Sequence, residues 1–328
     1  MTGDDTMWRA LAGGQGGVLL TAQAGEGGWT RPRLRRLLGR CGWARIQPGA
    51  WLEPGRAMGV RQWLWLHQLL RPVLVVSHWA AAMLHGVETR VERVDFIAPP
   101  GAACAAVRSG VVHRLPLGED EVTTVAGLRT TMVARTMADL LRTGPRDDAL
   151  VAVDSALGWR HGTGVEQRGA RRPPLAPLDA IGRALTAAPE LRGARTAAWW
   201  LAMADPRSGS PAETVARLRM RDAGLCPETQ VPLVSPVTGR RVYPDFLFRA
   251  QGLVVEVEGY EWHGTRAQHQ RDVLRFNDLA TCPEVRRILR FTTADVYRRP
   301  EGMIRDIRQA LAVRRGPPAV VSPGPSPG

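Results

Sequence analysis

The sequence predicts an α/β protein that is built from several domains. Its 328 residues exceed the usual length of one domain, so two or three domains are expected. Residues 60–160 alternate short apolar runs, typical of strands, with amphipathic helices. Between residues 207 and 315 the predicted order is helix, three strands, helix, strand and helix. Such a succession favours a central mixed sheet that is covered by helices.

The composition indicates a protein that binds a polyanion. The formal net charge is +13, and all 44 basic residues are arginine because the chain contains no lysine. The base composition of the genome is a sufficient explanation for choosing arginine over lysine, but it does not explain the net positive charge. A strong positive field favours nucleic acid, ahead of a membrane surface, as the partner.

The cysteines and the N-terminus point to a reducing compartment. The four cysteines lie far apart, at Cys41, Cys104, Cys226 and Cys282. This spacing argues against a zinc ribbon or a disulfide framework. Asp4 and Asp5 stand where a signal peptide would have basic residues. The most apolar stretch, residues 63–76, contains polar residues and is too short to span a bilayer. We therefore expect a cytoplasmic protein without a membrane partner.

Residues 1–58 are predicted to form a first domain of three short helices and a hairpin. The second helix would begin at Thr21, and the third at Arg31 with Thr30 as its cap. Apolar residues of the third helix recur at helical spacing, at Leu34, Leu37, Leu38 and Cys41. Residues 43–52 have the pattern of two strands joined by a Pro-Gly turn. This layout is typical of a winged helix-turn-helix domain.

Five arginines occupy the rest of the circumference of the third helix. They are Arg31, Arg33, Arg35, Arg36 and Arg40. A solvated helix face usually mixes charges of both signs, and this face has no acidic residue. DNA is therefore the predicted ligand, and an ordinary solvated face is the alternative. The segment resembles the N-terminal domain of abortive-infection type IV antitoxins through Gly17-Val-Leu-Leu-Thr-Ala-Gln and Ile46-Gln-Pro-Gly-Ala-Trp-Leu.

Residues 59–160 form a predicted α+β middle domain without evident chemistry. The predicted elements are a helix from 78 to 85, strands 94–98 and 111–114, and helices 134–141 and 148–157. His78 and His85 are expected in caps or in the core, because no carboxylate lies between them. Arg135 and Asp139 are spaced for an ion pair on a helix surface. The region resembles the middle part of the same antitoxin-like proteins.

The remaining chain is predicted to contain a connector, a last domain and a tail. Residues 161–206 begin with a linker rich in glycine, arginine and proline and continue as two helices. Residues 207–315 are the last domain. Residues 316–328 are rich in proline, glycine and serine, which predicts a disordered tail.

The last domain concentrates carboxylates on two predicted strands. Asp245 follows a proline within an apolar run, and Glu256 and Glu258 alternate with valines. Side chains two residues apart on a strand share a face, so Glu256 and Glu258 project together. Neighbouring carboxylates repel each other and resist desolvation unless a cation lies between them. Hard divalent cations bind carboxylate oxygens, so the pattern predicts a metal site.

The order of these residues resembles the PD-(D/E)xK nuclease superfamily, and in particular the branch related to the very-short-patch-repair endonuclease. The resemblance is carried by the three carboxylates together with Ser210-Pro-Ala-Glu213, Gln230, Trp262-His263, Arg271-Asp272, Asn277 and Leu289-Arg290-Phe291-Thr292. It implies a restriction-endonuclease-like α/β core. It also implies that DNA is the substrate and that Mg²⁺ or Mn²⁺ is the cofactor.

The resemblance implies a role for each site residue. Asp245 and Glu256 would bind the metal, which activates a water and neutralises the phosphate. Glu213 would join the site through a second metal or a bound water. The alternative is a structural role, because Ser210 and Glu213 also have the spacing of a helix capping box. Gln230 would orient a water or the scissile phosphate, and ordinary strand polarity is the alternative.

One position departs from the superfamily, because Glu258 stands where its lysine is expected. An acid there does not acidify the attacking water by positive charge, but it is able to accept a proton or to bind a second cation. The repair-endonuclease relatives also lack this lysine, and the resemblance implies a histidine in the site, which points to His263. Arg271, on the next helix, is expected to hold a phosphate. Two functions stay open. One is a metal-dependent DNA endonuclease or nickase, and the other is a non-catalytic DNA-binding regulator of antitoxin type with a nuclease-like scaffold. The intact acidic set favours the enzyme.

Overall fold

The protein divides into two compact units, Met1–Pro206 and Arg207–Gly328, in a computed structural model. The structure describes residues 3–102, 107–158, 160–161, 171–258 and 266–312. Both units combine helices with sheets, and two of the sheets mix parallel and antiparallel pairs. The predicted mixed α/β class is therefore confirmed. Among the helices of these ranges, none is long and apolar enough to cross a membrane.

The first unit begins with a small three-stranded sheet and its helices. The elements are α1 (Gly3–Gly13), β1 (Val18–Leu20), α2 (Arg31–Arg40), β2 (Ala44–Gln47) and β3 (Ala50–Leu52). The sheet is antiparallel in the order β1-β3-β2. Leu34 and Leu38 of α2 are fully buried, together with Trp8 of α1. The helix predicted at Thr21 is a 3-10 helix, Thr21–Gly27, that ends at Gly28 in a left-handed conformation with φ of 69°.

A five-stranded sheet follows in the same unit. Its elements are α3 (Val60–Leu70), β4 (Val75–Val76), α4 (His78–Leu84), β5 (Val94–Ala98), β6 (Gly110–Arg114), β7 (Val122–Val125), β8 (Leu128–Thr131), α5 (Val133–Thr143) and α6 (Arg146–Leu157). The strand order is β6-β5-β4-β8-β7. A short β9 (Arg160–His161) pairs with β10 (Arg171–Arg172), and α7 (Leu178–Thr186) and α8 (Ala194–Leu201) close the unit. Phe96 and Leu128 are fully buried in the core of this sheet.

The ion pair predicted on a helix surface is buried instead. Arg135 and Asp139 lie on α5, and the Arg135 Nε donates to Asp139 at 2.8 Å. Glu121 accepts a further bond from Arg135, and Arg142 donates to Asp139 at 3.1 Å. The four-residue spacing predicted the correct ion pair, but the predicted exposure was wrong. The pair is buried because α4, α6, α7 and α8 all pack against α5. Buried charges need such partners, and this network supplies them.

The two histidines of the middle region lie in the core and at a helix end, as predicted. His78 is fully buried, and its ring stacks on His113 with centroids 3.6 Å apart. His113 contacts the buried Asp95 at 2.9 Å. Burial, followed by the neighbouring His113, lowers the pKa of His78 to about 3. His85 ends α4 and bonds the carbonyl oxygen of Thr131. His78 is therefore a neutral element of the core near pH 7.

The second unit contains a four-stranded sheet in the order β11-β14-β15-β16. Its elements are α9 (Pro211–Asp222), β11 (Glu228–Thr229), β12 (Leu233–Val234), β13 (Arg241–Val242), β14 (Phe246–Phe248), β15 (Leu253–Glu258), α10 (Arg266–Thr281), β16 (Arg287–Thr292), α11 (Thr293–Arg298) and α12 (Pro300–Ala312). Strand β14 is antiparallel to β11 and β15, whereas β15 and β16 are parallel. Leu247 and Val254 pack with Leu279 of α10. These contacts place α10 on one face of the sheet.

The first two strands predicted for this unit are interrupted. We expected continuous strands over 228–234 and 241–248, and each is divided into two short segments. Gln230 has a φ of +48°, and Pro232 and Pro244 cannot donate to a ladder. Strands β12 and β13 form a separate two-stranded ribbon as a result. The interruptions place Gln230 and Asp245 at strand ends.

Candidate functional site

Four of the predicted site residues come together in the second unit. Glu213 is in the first turn of α9, Gln230 follows β11, Asp245 precedes β14, and Glu256 is on β15. The Gln230 Nε2 lies 3.2 Å from the Glu213 carboxylate and 2.9 Å from the Asp245 carboxylate. The main-chain nitrogen of Asp245 donates to Glu256 at 3.2 Å. These contacts connect the four residues into one cluster.

The position of Glu213 follows from the start of α9. Ser210 is the N-cap, and its hydroxyl accepts a bond from the main-chain nitrogen of Glu213 at 3.2 Å. The Glu213 carboxylate accepts a bond from the main chain of Gly209 at 2.8 Å and also meets Gln230. Ser210 therefore caps α9, whereas the reciprocal half of the predicted capping box is replaced by the bond from Gly209. The catalytic role predicted for Glu213 stays a prediction.

Antiparallel pairing places Asp245 beside Glu256. Phe246 lies opposite Val255, so the next pair in that register brings Asp245 and Glu256 together. The Asp245 carboxylate accepts a bond from the main-chain nitrogen of Val257 at 2.8 Å. Gln230, held in a left-handed conformation, donates to its other oxygen. A side chain other than glycine bears strain in that region, and such strain is concentrated at functional sites.

The three carboxylates are desolvated and repel each other. Glu213, Asp245 and Glu256 are 8%, 7% and 1% exposed, respectively. Burial first, and the charge of Asp245 second, raise the pKa values of Glu213 and Glu256 to about 7. Burial is also the largest cause that raises the pKa of Asp245. A carboxyl group with a pKa near 7 is able to hold or release a proton at neutral pH.

A divalent cation fits the chemistry of this cluster. Mg²⁺ prefers oxygen ligands and usually retains several waters, so one or two protein carboxylates are enough to bind it. Asp245 and Glu256 supply such a pair, and a cation there would relieve their repulsion. As the side chains stand, no group of three or more His, Cys, Asp or Glu within the described ranges is arranged to hold a metal ion.

Arg275 of α10 is a site residue that the sequence interpretation missed. Its Nη2 lies 2.6 Å from the Glu256 carboxylate, and its Nη1 donates to the carbonyl oxygen of Tyr243 at 3.4 Å. The Arg275 guanidinium also acts against the burial that raises the pKa of Glu256. The sequence carried no signal for this contact, because the rotation of α10 over the sheet decides which of its side chains meets Glu256.

The remaining predicted residues fall outside this cluster or outside the described residues. Glu258, at the end of β15, is partly exposed and forms an ion pair with Arg290 of β16. Arg271 lies on α10, one helical turn before Arg275, and the structure does not describe its side chain. His263 lies outside the described residues. The roles predicted for Glu258, Arg271 and His263 stay predictions.

The arginine helix predicted to bind DNA is α2. Thr30 caps it with a bond from the Arg33 nitrogen at 3.4 Å, and Pro32 follows in the first turn. All five arginines, Arg31, Arg33, Arg35, Arg36 and Arg40, are exposed. The Arg33 guanidinium lies 3.7 Å above the Trp29 ring. The exposed face of α2 is therefore basic.

Comparison with known proteins gives relatives but no activity. No protein-family model matches the chain. A solved structure, the RV2827C protein from Mycobacterium tuberculosis, is 17% identical and covers 70% of this chain and 89% of its own, with a TM-score of 0.37. Two proteins of Mycobacterium tuberculosis strains, called uncharacterized proteins MT2308 and Rv2248, are each 30% identical over 200 residues, which is 61% of this chain and 68% of each relative. On that identity and coverage, the chain belongs to the same family as MT2308 and Rv2248.

Proposed function

We propose that the protein is a divalent-metal-dependent endonuclease or nickase that hydrolyses phosphodiester bonds in DNA. The observation that supports this proposal is the convergence of Asp245 and Glu256 beside Glu213 and Gln230 in one buried cluster. Burying three neighbouring carboxylates costs free energy, and the contact of Arg275 with Glu256 offsets that cost only in part, because the pKa of Glu256 remains raised to about 7. A metal-binding catalytic role accounts for the cost.

Each residue has a chemical task in this proposal. Asp245 and Glu256 would hold the metal, and bound Mg²⁺ supplies Lewis-acid stabilisation and a more acidic water. Gln230 holds its amide between Glu213 and Asp245, which fixes the orientation of both carboxylates. Glu213 has a raised pKa of about 7, so its carboxylate is suited to accept the proton that the attacking water loses.

The second candidate is a non-catalytic DNA-binding regulator. The exposed arginines of α2 support it, because they would bind phosphates without any contribution from the carboxylate cluster. The two candidates share DNA as partner and differ only in the role of the second unit. The regulator alternative also accommodates Glu258 in place of the superfamily's lysine.

Cleavage assays with carboxylate variants test the proposal. Wild type is expected to nick or cleave plasmid DNA with Mg²⁺ or Mn²⁺, and a chelator should stop the reaction. Asp245→Ala and Glu256→Ala should each abolish cleavage with little change in the DNA affinity that is measured without metal, because the α2 arginines remain. Glu228→Ala is a matched control, since Glu228 is an acid on β11 that pairs with Arg249 outside the cluster. If wild type binds no divalent metal and cuts neither DNA nor RNA, the enzyme proposal fails and the regulator replaces it.

A further inference from the structure

Arg275 supplies a cation to the carboxylate that is proposed to hold the metal. Its guanidinium lies 2.6 Å from Glu256, whose side chain is 1% exposed. Charge-assisted contacts of this length are strong, and burial of the acceptor strengthens them further. Without a metal, the charge of Glu256 is therefore compensated by the protein itself.

The contact with Glu256 leaves part of the Arg275 side chain exposed. The Arg275 side chain is 36% exposed, and its guanidinium carbon lies 4.9 Å from the centre of the Phe276 ring. Arginine presents a planar fork of donors that matches a phosphate as well as a carboxylate. Arg275 therefore lies at the partly exposed edge of the carboxylate cluster. Rotation of its side chain would move the guanidinium from the buried Glu256 carboxylate to a phosphate of a bound nucleic acid.

A metal and Arg275 compete for Glu256. A divalent cation on the Glu256 carboxylate would stand within a few ångströms of the guanidinium, and like charges at that range repel strongly outside bulk water. The Glu256 oxygen nearest to Arg275 also commits a lone pair to that contact. The guanidinium in this position therefore opposes metal binding at Glu256.

We propose that Arg275 is a positioning residue that exchanges with the metal. It neutralises Glu256 until a divalent cation binds, and it then turns to a backbone phosphate of the bound nucleic acid. The inference rests on the proposed function, because it requires a metal at Glu256. Its consequence is a positive coupling: the phosphate provides a partner for the displaced guanidinium, so nucleic acid strengthens metal binding, and the reverse.

Calorimetric titration of Mn²⁺ into the full-length protein tests the exchange without reference to turnover. The titration is done alone and with a short phosphorothioate-linked duplex, which retains the negative charge. Wild type should bind Mn²⁺ more tightly with the duplex than without it. Arg275→Met should bind Mn²⁺ roughly tenfold more tightly than wild type without the duplex, because a competing cation is gone. The duplex should then add little, whereas Arg275→Lys should remain close to wild type.

Arg249→Met is the matched control. Arg249 also pairs with a carboxylate, but with Glu228 at 2.7 Å, outside the cluster. The variant removes the same charge from the second unit, so its Mn²⁺ affinity should stay near that of wild type. If Arg275→Met does not fold, as judged by its thermal unfolding, Arg275→Gln replaces it as a smaller neutral variant.

The outcomes separate this inference from the proposed function. Tighter Mn²⁺ binding in the neutral variant, together with loss of the coupling to duplex, supports the exchange. Mn²⁺ binding that is unchanged or weaker in the neutral variant, or coupling that persists there, overturns the exchange and leaves the proposed function standing. If wild type and Asp245→Ala alike bind no Mn²⁺, the proposed function fails, and the exchange fails with it.

Discussion

At the scale of the residue, Glu213 carries a charge that opposes folding. Its folded-state pKa of about 7 lies above the ordinary 4.5, mainly because of burial. Protonated Glu213 therefore favours the folded state at low pH. That stability is fully present below the unfolded-state value of 4.5 and is lost as the pH rises through about 7. A bound cation would offset this loss, so the metal-free protein is the one that shows it.

Glu213→Gln should reveal this cost as a pH-dependent gain in stability. Both bonds to the Glu213 carboxylate, from Gly209 and Gln230, reach the same oxygen, so a glutamine carbonyl preserves them. The variant should exceed wild type in the free energy of unfolding by about 1–3 kcal/mol near pH 8 and by much less near pH 5. Urea unfolding without metal measures the difference. A stability change of the same size at both pH values would contradict the charge argument.

The site residues show which contacts a sequence is able to predict. The face of Glu256 was predictable from strand periodicity, whereas Asp245 was assigned by the order of motifs and lies beside Glu256 through the pairing of β14 with β15. Glu213 and Gln230 were predictable only through the order of motifs. Arg275 was not, because its contact with Glu256 depends on the rotation of α10 over β15, which tertiary packing decides.

At the scale of the element, the exposed arginines of α2 are the feature of the first unit from which we predict binding to DNA. Its ten residues contain five exposed arginines, and its buried face is formed by Leu34 and Leu38. Neutralising a phosphate releases counterions, so affinity should fall steeply with salt concentration. Removing an arginine that binds a phosphate reduces the salt slope by about one unit.

Replacing Arg33, Arg36 and Arg40 by glutamine should therefore weaken duplex binding and flatten its salt dependence. The slope should decrease by up to about three units, one for each phosphate that is no longer neutralised. Binding measured by fluorescence anisotropy at several salt concentrations provides the slope. The control replaces arginines that already pair with acids, Arg90, Arg183 and Arg249. If affinity and slope stay unchanged in the α2 variant, DNA binds elsewhere, and a protein partner becomes the better candidate for this helix.

Element boundaries were predicted well where one local signal dominates. The helix at Arg31 and the strand over 94–98 lie where capping and apolar runs placed them. Strands were predicted too long where prolines interrupt the ladder, as at Pro232 and Pro244. The 3-10 helix at Thr21 was missed because its glycines weaken an α-helix without excluding one.

At the scale of the whole molecule, the chain divides into two compact units between Pro206 and Arg207. The boundaries predicted at 58 and 160 lie inside the first unit and stay predictions. All four clustered site residues belong to the second unit, which has its own core around Leu247 and Val254. The proposed chemistry and the proposed binding of α2 to DNA therefore reside in different units.

A fragment of residues 207–328 is therefore expected to fold and to cleave DNA with Mg²⁺ or Mn²⁺, more weakly than the full chain. The difference in cleavage rate between the fragment and the full chain should be largest at low salt, where the α2 arginines contribute most to DNA binding. Cleavage rates of fragment and full chain across a salt series measure this. The same fragment with Asp245→Ala controls for contaminating nucleases. A folded but inactive fragment beside an active full chain would mean that the first unit takes part in the chemistry.

The contact between Arg275 and Glu256 also has a chemical consequence, because the chain contains no lysine. Arg275→Lys would introduce the only side-chain amine of the protein, located at the partly exposed edge of the carboxylate cluster. Amine-reactive dyes, crosslinkers and mass tags would then modify that position and, besides it, only the α-amino group. An ammonium held against a carboxylate reacts slowly, whereas a released amine reacts faster. The single substitution would thus turn ordinary acylating reagents into a local probe of whether Glu256 is occupied.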